Sequence, residues 1–127
     1  WVKVERVCVA HDCGMVVNPD GVRNQIEGSV IQTLSRALME EVQTTRREIT
    51  SVDWVSYPIL RFSDLPSAID IELIDRPTVR AVGAGEATAS PIFAALGNAI
   101  FDATGVRLRS VPFTPERLLA ARQKRAA

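Results

Sequence analysis

The sequence predicts an α+β fold: a mixed sheet packed by one long helix and by a second, buried helix that follows the turn Gly83-Ala84-Gly85-Glu86. Three observations lead there. Residues 2–10 and 69–74 alternate apolar and polar side chains at the period of a strand. Between them, apolar residues recur every four positions from Val22 to Val42, the mark of a long helix. Finally, Ile92, Phe93, Leu96, Ile100 and Phe101 leave few polar faces on the segment before Gly105, which reads as a buried helix.

Val2 and Val4 alternate with Lys3 and Glu5, after which Val7 and Val9 take over the apolar parity. That change predicts a bulge, or a strand buried on both sides. The chain opens at Trp1 already in this alternation and without an initiator methionine, so it is expected to be part of a longer polypeptide. Asp12 to Gly21 contains Gly14, Asn18, Pro19 and Gly21 and reads as a loop. Asn18-Pro19-Asp20 then opens a helix with a capping side chain, a proline where no donor is needed and an acid in the first turn.

This helix is expected over 22–42. Its stripe of Val22, Ile26, Val30, Leu34, Leu38 and Val42 has a strict spacing of four. A helix repeats every 3.6 residues, so the stripe winds by about 40° per step and protein should touch it on more than one side. The opposite sector holds Gln25, Ser29, Gln32 and Arg36 with Gly28 beside them, which would let another backbone or a ligand come close.

Thr44 to Glu48 is turn-like, and residues 49–62 predict a strand broken at Pro58. Ile69, Ile71 and Leu73 against Asp70 and Glu72 give a strand with one wet face, ended by Pro77. Ser90 is expected to cap the later helix, Pro91 to take its first position and Gly105 to stop it. Thr114-Pro115 starts a last helix that runs into the basic tail Arg122-Gln123-Lys124-Arg125, solvated from about residue 122. The 127 residues fit one domain.

Composition excludes several classes. Fifteen basic residues balance fifteen acidic ones, so no basic excess marks a nucleic-acid surface. No apolar run approaches the ~20 residues of a membrane span, and no signal peptide opens the chain. Cys8, Cys13 and the single histidine, His11, are too few for a metal site, so no metal ligand is assigned and both thiols are expected reduced.

Gly83 to Pro91 is the most informative stretch. Two glycines flanking an alanine let a backbone turn sharply and approach a neighbour. The carboxylate that follows, backed by a rigid helix, is well placed for general-base work. The pattern alone favours a plainer alternative, in which Glu86 only complements the positive end of the helix. Strand, Gly83-x-Gly85, then helix is also half of a dinucleotide fingerprint, but Thr88 stands where its third glycine belongs. No Gly-Lys-Ser/Thr phosphate loop is present.

Four segments in register resemble the molybdenum-cofactor-binding large subunit of the xanthine oxidase/aldehyde oxidase family. His11-Asp12-Cys13-Gly14-Met15-Val16-Val17-Asn18-Pro19 is similar to its DCG-x-x-(V/I)-NP segment. Gln25-Ile26-Glu27-Gly28-Ser29 is similar to its Q-(I/V)-E-G-G helix start, with Ser29 in place of the second glycine. Val82-Gly83-Ala84-Gly85-Glu86 resembles its G-x-G-E turn, with Ala87 where the family usually has proline. Ala95 to Gly105 resembles its AxANAIFxATG helix, and Arg107 to Phe113 resembles its C-terminal end. The details lie nearest the isoquinoline 1-oxidoreductase and nicotinate dehydrogenase branch.

The resemblance implies a C-terminal segment, residues 1–127, of a larger molybdopterin-binding domain in a molybdenum hydroxylase. Such an enzyme oxidises an N-heterocycle or an aldehyde with water as the oxygen source. Carried onto this sequence, Glu86 is the general base, Gly83, Ala84 and Gly85 lie against the cofactor, and Gln25 hydrogen-bonds its pterin. Gln25 is then expected on the same side of the fold as the Gly83–Glu86 turn. The implied cofactor is a molybdenum pterin in its cytosine dinucleotide form, with iron–sulfur clusters in a partner small subunit. The remainder of the large subunit would be a further partner and would supply most of the pocket, leaving the isolated chain inactive. A cytoplasmic location is expected, with the periplasm open. The other function class is a non-catalytic remnant that only packs against partner subunits.

Overall fold

A computed structural model of the chain describes residues 2–126, with side chains through residue 124. Trp1, where the strand-like alternation begins, the Arg125 side chain of the basic tail, and Ala127 lie outside the described residues. The elements in order are β1 (Arg6–His11), α1 (Pro19–Leu38), a short 3-10 turn (Phe62–Asp64), β2 (Ala68–Leu73), α2 (Ala89–Thr104) and α3 (Pro115–Ala126).

β1 and β2 pair in parallel, from Arg6 opposite Ala68 to His11 opposite Leu73. Parallel strands need a crossover, and α1 with the long segment after it provides one. The ladder is unbroken, so the parity change after Val4 falls ahead of the strand and makes no bulge within it. Val7 and Val9 from one strand, and Ile69, Ile71 and Leu73 from the other, turn the same face to the core.

Among the described residues the sheet has only these two strands and is parallel, not mixed as expected. The missing strand is the one expected over 49–62. There, turn chemistry outcompetes the ladder: the Asp53 carboxylate accepts from the N–H groups of Val55 (3.1 Å) and Ser56 (2.8 Å). The Ser56 hydroxyl in turn accepts from the N–H groups of Val52 (3.0 Å) and Asp53 (3.2 Å). Only an isolated antiparallel bridge, Thr44 to Ile49, forms nearby. The apolar side chains that suggested a strand stand out from the surface, with Phe62 91% and Val55 89% exposed.

α1 starts as its sequence dictates. Asn18 is the cap and its side chain accepts from the Gly21 N–H at 2.9 Å, while Pro19 and Asp20 fill the first turn. It ends at Leu38, four residues short of the expected limit. Phe113 explains the stop: its N–H donates to the Ala37 carbonyl at 2.6 Å, supplying one of the last-turn partners that no helix can supply itself. Two adjacent columns of α1, Ile26–Val30–Leu34 and Ser29–Thr33–Ala37, make one broad buried face. Ser35 on the opposite side is buried where its hydroxyl accepts from the Leu60 N–H at 2.9 Å, so protein does meet the helix on more than one side.

The core joins the first of these columns to Ile92, Leu96 and Ile100 of α2 and to Phe113, with the inner face of the sheet below. α2 is therefore buried along one face only. Ala94, Ala95, Ala99 and Phe101 are exposed, unlike the expected all-round burial. Its cap is Thr88, not Ser90, and Pro91 is the third helical residue. A proline is harmless there because the first four N–H groups have no partner within the helix. Gly105 stops the helix in a left-handed conformation, φ 69°. Arg122, Gln123 and Lys124 are exposed and helical. No helix among the described residues is long and apolar enough to cross a membrane.

Candidate functional site

The site begins with two loops laid side by side. The loop after β1 and the segment after β2 are joined by main-chain bonds from the Arg76 N–H to the Gly14 carbonyl (3.1 Å), from Met15 to Val79 (3.0 Å) and from Val82 to Cys13 (2.9 Å). Asp75 adds a side-chain acceptor for the Val16 N–H at 3.0 Å. Gly14 has φ 76°, and a Cβ there would stand 2.5 Å from the Arg80 carbonyl oxygen, so only glycine fits. Asp12 accepts from the Gly14 N–H at 3.0 Å and pairs with Arg76. The Gly14 bond chiefly, and the Arg76 guanidinium with it, hold the Asp12 carboxyl below its usual range against some desolvation.

This pairing delivers the chain at Val82 to the N-terminal half of α1. There the Ser29 hydroxyl donates to the Gly85 carbonyl at 2.7 Å. One helical turn earlier, the Gln25 side-chain oxygen lies 3.7 Å from where a Cβ on Gly85 would stand. Gln25, Ala84 and Gly85 therefore line one open cleft of about 390 Å³, together with Cys13, Met15 and Asn18. Gly83 precedes them on the same turn, and a Cβ there would meet nothing within 4 Å. Neither Gly83 nor Gly85 has positive φ, so nothing inside the described chain requires glycine at either position. Glu86 is exposed on the turn leading to α2 and does not line the cleft itself. Its carbonyl accepts from the Ala89 N–H at 3.0 Å, and no described cation pairs with its carboxylate.

Several polar groups here have no partner within the described chain. Among the described residues, nothing accepts from the N–H groups of Gly83, Ala84, Gly85 or Glu86, and nothing engages the Gln25 amide. The arrangement can donate several main-chain hydrogen bonds to a polar molecule and offer it an amide that both donates and accepts. Sequence reasoning placed Ser29 on a polar sector open to another backbone or a ligand, and in place of the family's second glycine, but named no partner for it, and it gave Arg76 no role. A hydroxyl in a helix names no partner, and the Arg76 bond to Asp12 spans 64 residues of sequence. The larger groove of about 570 Å³, where Val2 and Val4 meet Leu96, Ile100 and Leu118, is lined mainly by apolar side chains, with Lys3, Glu5, Arg6 and Thr104 also on its wall.

Two paired loops, a helix face carrying an amide and a glycine turn whose N–H groups have no partner among the described residues meet around one open cleft. The family is visible in comparison with known proteins: the molybdopterin cofactor-binding domain family model matches residues 1–66. The chain belongs to that family, the molybdopterin-binding large subunits of the xanthine oxidase type. It is 50% identical over 94% of its length to the B chain of nicotinate dehydrogenase from Pseudomonas putida, and 40% identical over 90% to the beta chain of isoquinoline 1-oxidoreductase from Brevundimonas diminuta. It spans only 10% and 14% of those two proteins. Among solved structures, it is similar to the aldehyde oxidoreductase of Desulfovibrio desulfuricans, with a TM-score of 0.81 and 29% identity. That match covers 94% of this chain and 13% of the other.

Proposed function

We propose that this chain is the part of a molybdenum-dependent oxidoreductase that supplies one wall of the pterin site and the general base, Glu86. The observation that carries the reading is the meeting of Gln25 with the Gly83–Glu86 turn on one face of α1. The residues present suit a pterin dinucleotide. Main-chain N–H groups at 83–86, without a partner among the described residues, can donate to its oxygens, and the Gln25 amide can pair with a ring edge that both donates and accepts. Gly83, where a Cβ would meet nothing within 4 Å among the described residues, leaves room for a flat group to lie against the backbone.

When bound, the molybdenum pterin supplies the two-electron redox chemistry. The chain's own contribution is positional and acid–base. Gln25, Gly83, Ala84 and Gly85 hold the cofactor in register, and a carboxylate oxygen of Glu86 takes up the proton released by water as its oxygen is transferred. Glu86 stands on a turn tied to α1 on one side and to the start of α2 on the other, which sets where its Cα stands and so the reach of its carboxylate.

The substrate class is an N-heterocycle or an aldehyde, following the names of the relatives. The cofactor is the cytosine dinucleotide form. Iron–sulfur clusters belong to a partner small subunit, since Cys8 and Cys13 are too few to ligate one. The remainder of the large subunit closes the pocket. The location is cytoplasmic, with the periplasm as the alternative. Metal and pterin analysis of the complete natural complex tests the reading: molybdenum and pterin in equal amount per large subunit support it, and a complex carrying neither refutes it.

A further inference from the structure

We propose that Ser29 positions Glu86, by clamping to helix α1 the peptide unit that carries it. The inference rests on Glu86 being the base. The Ser29 hydroxyl donates to the Gly85 carbonyl at 2.7 Å. That oxygen belongs to the peptide joining Gly85 to Glu86, which is trans and planar. Fixing the carbonyl against α1 therefore fixes the whole plane, sends the Glu86 N–H away from the helix and sets the direction in which its Cα leaves.

Little else could hold the turn. From Gly83 to Glu86 the Ser29 bond is the only hydrogen bond made to a distant part of the described chain. Gly83 and Gly85 have no side chains to pack, and both are exposed. After Glu86 the chain is fixed by the bond from the Ala89 N–H. Glu86 thus hangs between two anchors, and Ser29 is the upstream one. The hydroxyl also forgoes its easy local alternative, the carbonyl four residues back in its own helix. Ser29 replaces the second glycine of the family's helix start, and a glycine there has no such bond to offer.

The test uses the complete natural enzyme with S29A, S29T, E86Q and the S29A/E86Q double variant. Alanine favours helix and is smaller than serine, so S29A is expected to fold and load cofactor. Its kcat should fall on the order of tenfold with KM little changed, because the base is misplaced while substrate binding is not. Amide hydrogen exchange over 84–87 should quicken, and S29T should restore both readings. In the E86Q background, S29A should cost nothing further, since a positioning residue has nothing left to position.

Normal kcat in S29A alongside a slow E86Q overturns the role of Ser29 and leaves Glu86 as the base. Losses that multiply in the double variant also overturn it, since Ser29 then acts independently of Glu86. An S29A enzyme that loads poorly and is not rescued by S29T overturns it as well. An E86Q enzyme with wild-type turnover removes the underlying reading instead, whatever S29A does.

Discussion

Asp12 holds Arg76 with both carboxylate oxygens, Oδ2 to Nη2 at 2.8 Å and Oδ1 to Nε at 3.2 Å. The pair locks the loop after β1 to the segment after β2. It is a forked guanidinium–carboxylate contact, geometrically more specific than a single point charge would be. Because the same Asp12 also accepts from the Gly14 N–H, one carboxylate shapes its own loop and anchors the neighbouring one. The line of the second loop then carries the chain to Gly83.

Gly14→Ala should damage this loop pair. A left-handed alanine costs about 1–2 kcal/mol, and its Cβ would press on the Arg80 carbonyl as well. Urea or thermal melts of the complete large subunit should show a loss of at least about that size. Gly28→Ala is the matching control. Measured in the isolated chain, on exposed helix and with nothing among the described residues within 4 Å of the added methyl, it should stabilise by about 0.5–1 kcal/mol.

Acid should loosen the same loops, and the sign follows from Asp12. Its folded pKa lies below the unfolded value, so its contribution is complete above the unfolded pKa of about 3.9 and is lost as pH falls through the lower folded one. Stability measured from pH 6 downward should therefore fall less steeply below pH ~4 in Asp12→Asn than in the wild type. Equal slopes would show that Asp12 contributes nothing through its charge.

Much of this fold can be read locally. Asn18-Pro19-Asp20 states a helix start in three residues, and Ile69, Ile71 and Leu73 state which strand face is wet. Alternation says nothing about strand direction, so the parallel pairing was out of reach. The failure at 49–62 has a definite cause: Asp53 and Ser56 bond to nearby backbone, a competition that apolar content does not reveal. α2 looked buried because apolar residues surround its axis, yet this chain covers only one side. For the candidate site, the resemblance points to Gln25 and the glycine turn, whereas the contact that joins α1 to that turn, through Ser29, belongs to tertiary structure alone.

Gln25→Ala and Gly83→Ala should separate cofactor binding from folding. Gln25 makes no hydrogen bond within the described chain, and a methyl on Gly83 meets nothing within 4 Å, so melting behaviour should hardly change. Pterin content of the assembled enzyme should fall for both. A lost amide contact worth about 1–3 kcal/mol corresponds to roughly five- to a hundredfold weaker binding. Full pterin loading in both variants would contradict the assignment of these residues to the cofactor.

The isolated 127-residue chain should bind no molybdenum and should self-associate. One open wall cannot hold a dinucleotide, and the chain exposes Val52, Trp54, Val55 and Phe62 within one short stretch. Metal analysis and sedimentation velocity check the two halves. Stoichiometric molybdenum, or a strict monomer at high concentration, would count against each in turn.

The most direct measurement is the turnover of the complete enzyme carrying Glu86→Gln, with molybdenum and pterin content determined on the same sample. Glutamine keeps the size and polarity of the side chain and removes the proton acceptor, while the Ser29 bond to Gly85 still holds the turn. General-base assistance contributes about 10²–10⁴-fold, so turnover should fall at least about a hundredfold with cofactor content near normal. Glu27→Gln, on an exposed face of α1, should stay within a few-fold of the wild type. Turnover of Glu86→Gln within a few-fold of the wild type would contradict the account and leave Glu86 as a helix-start residue. Joint loss of molybdenum and fold would instead make it a structural glutamate.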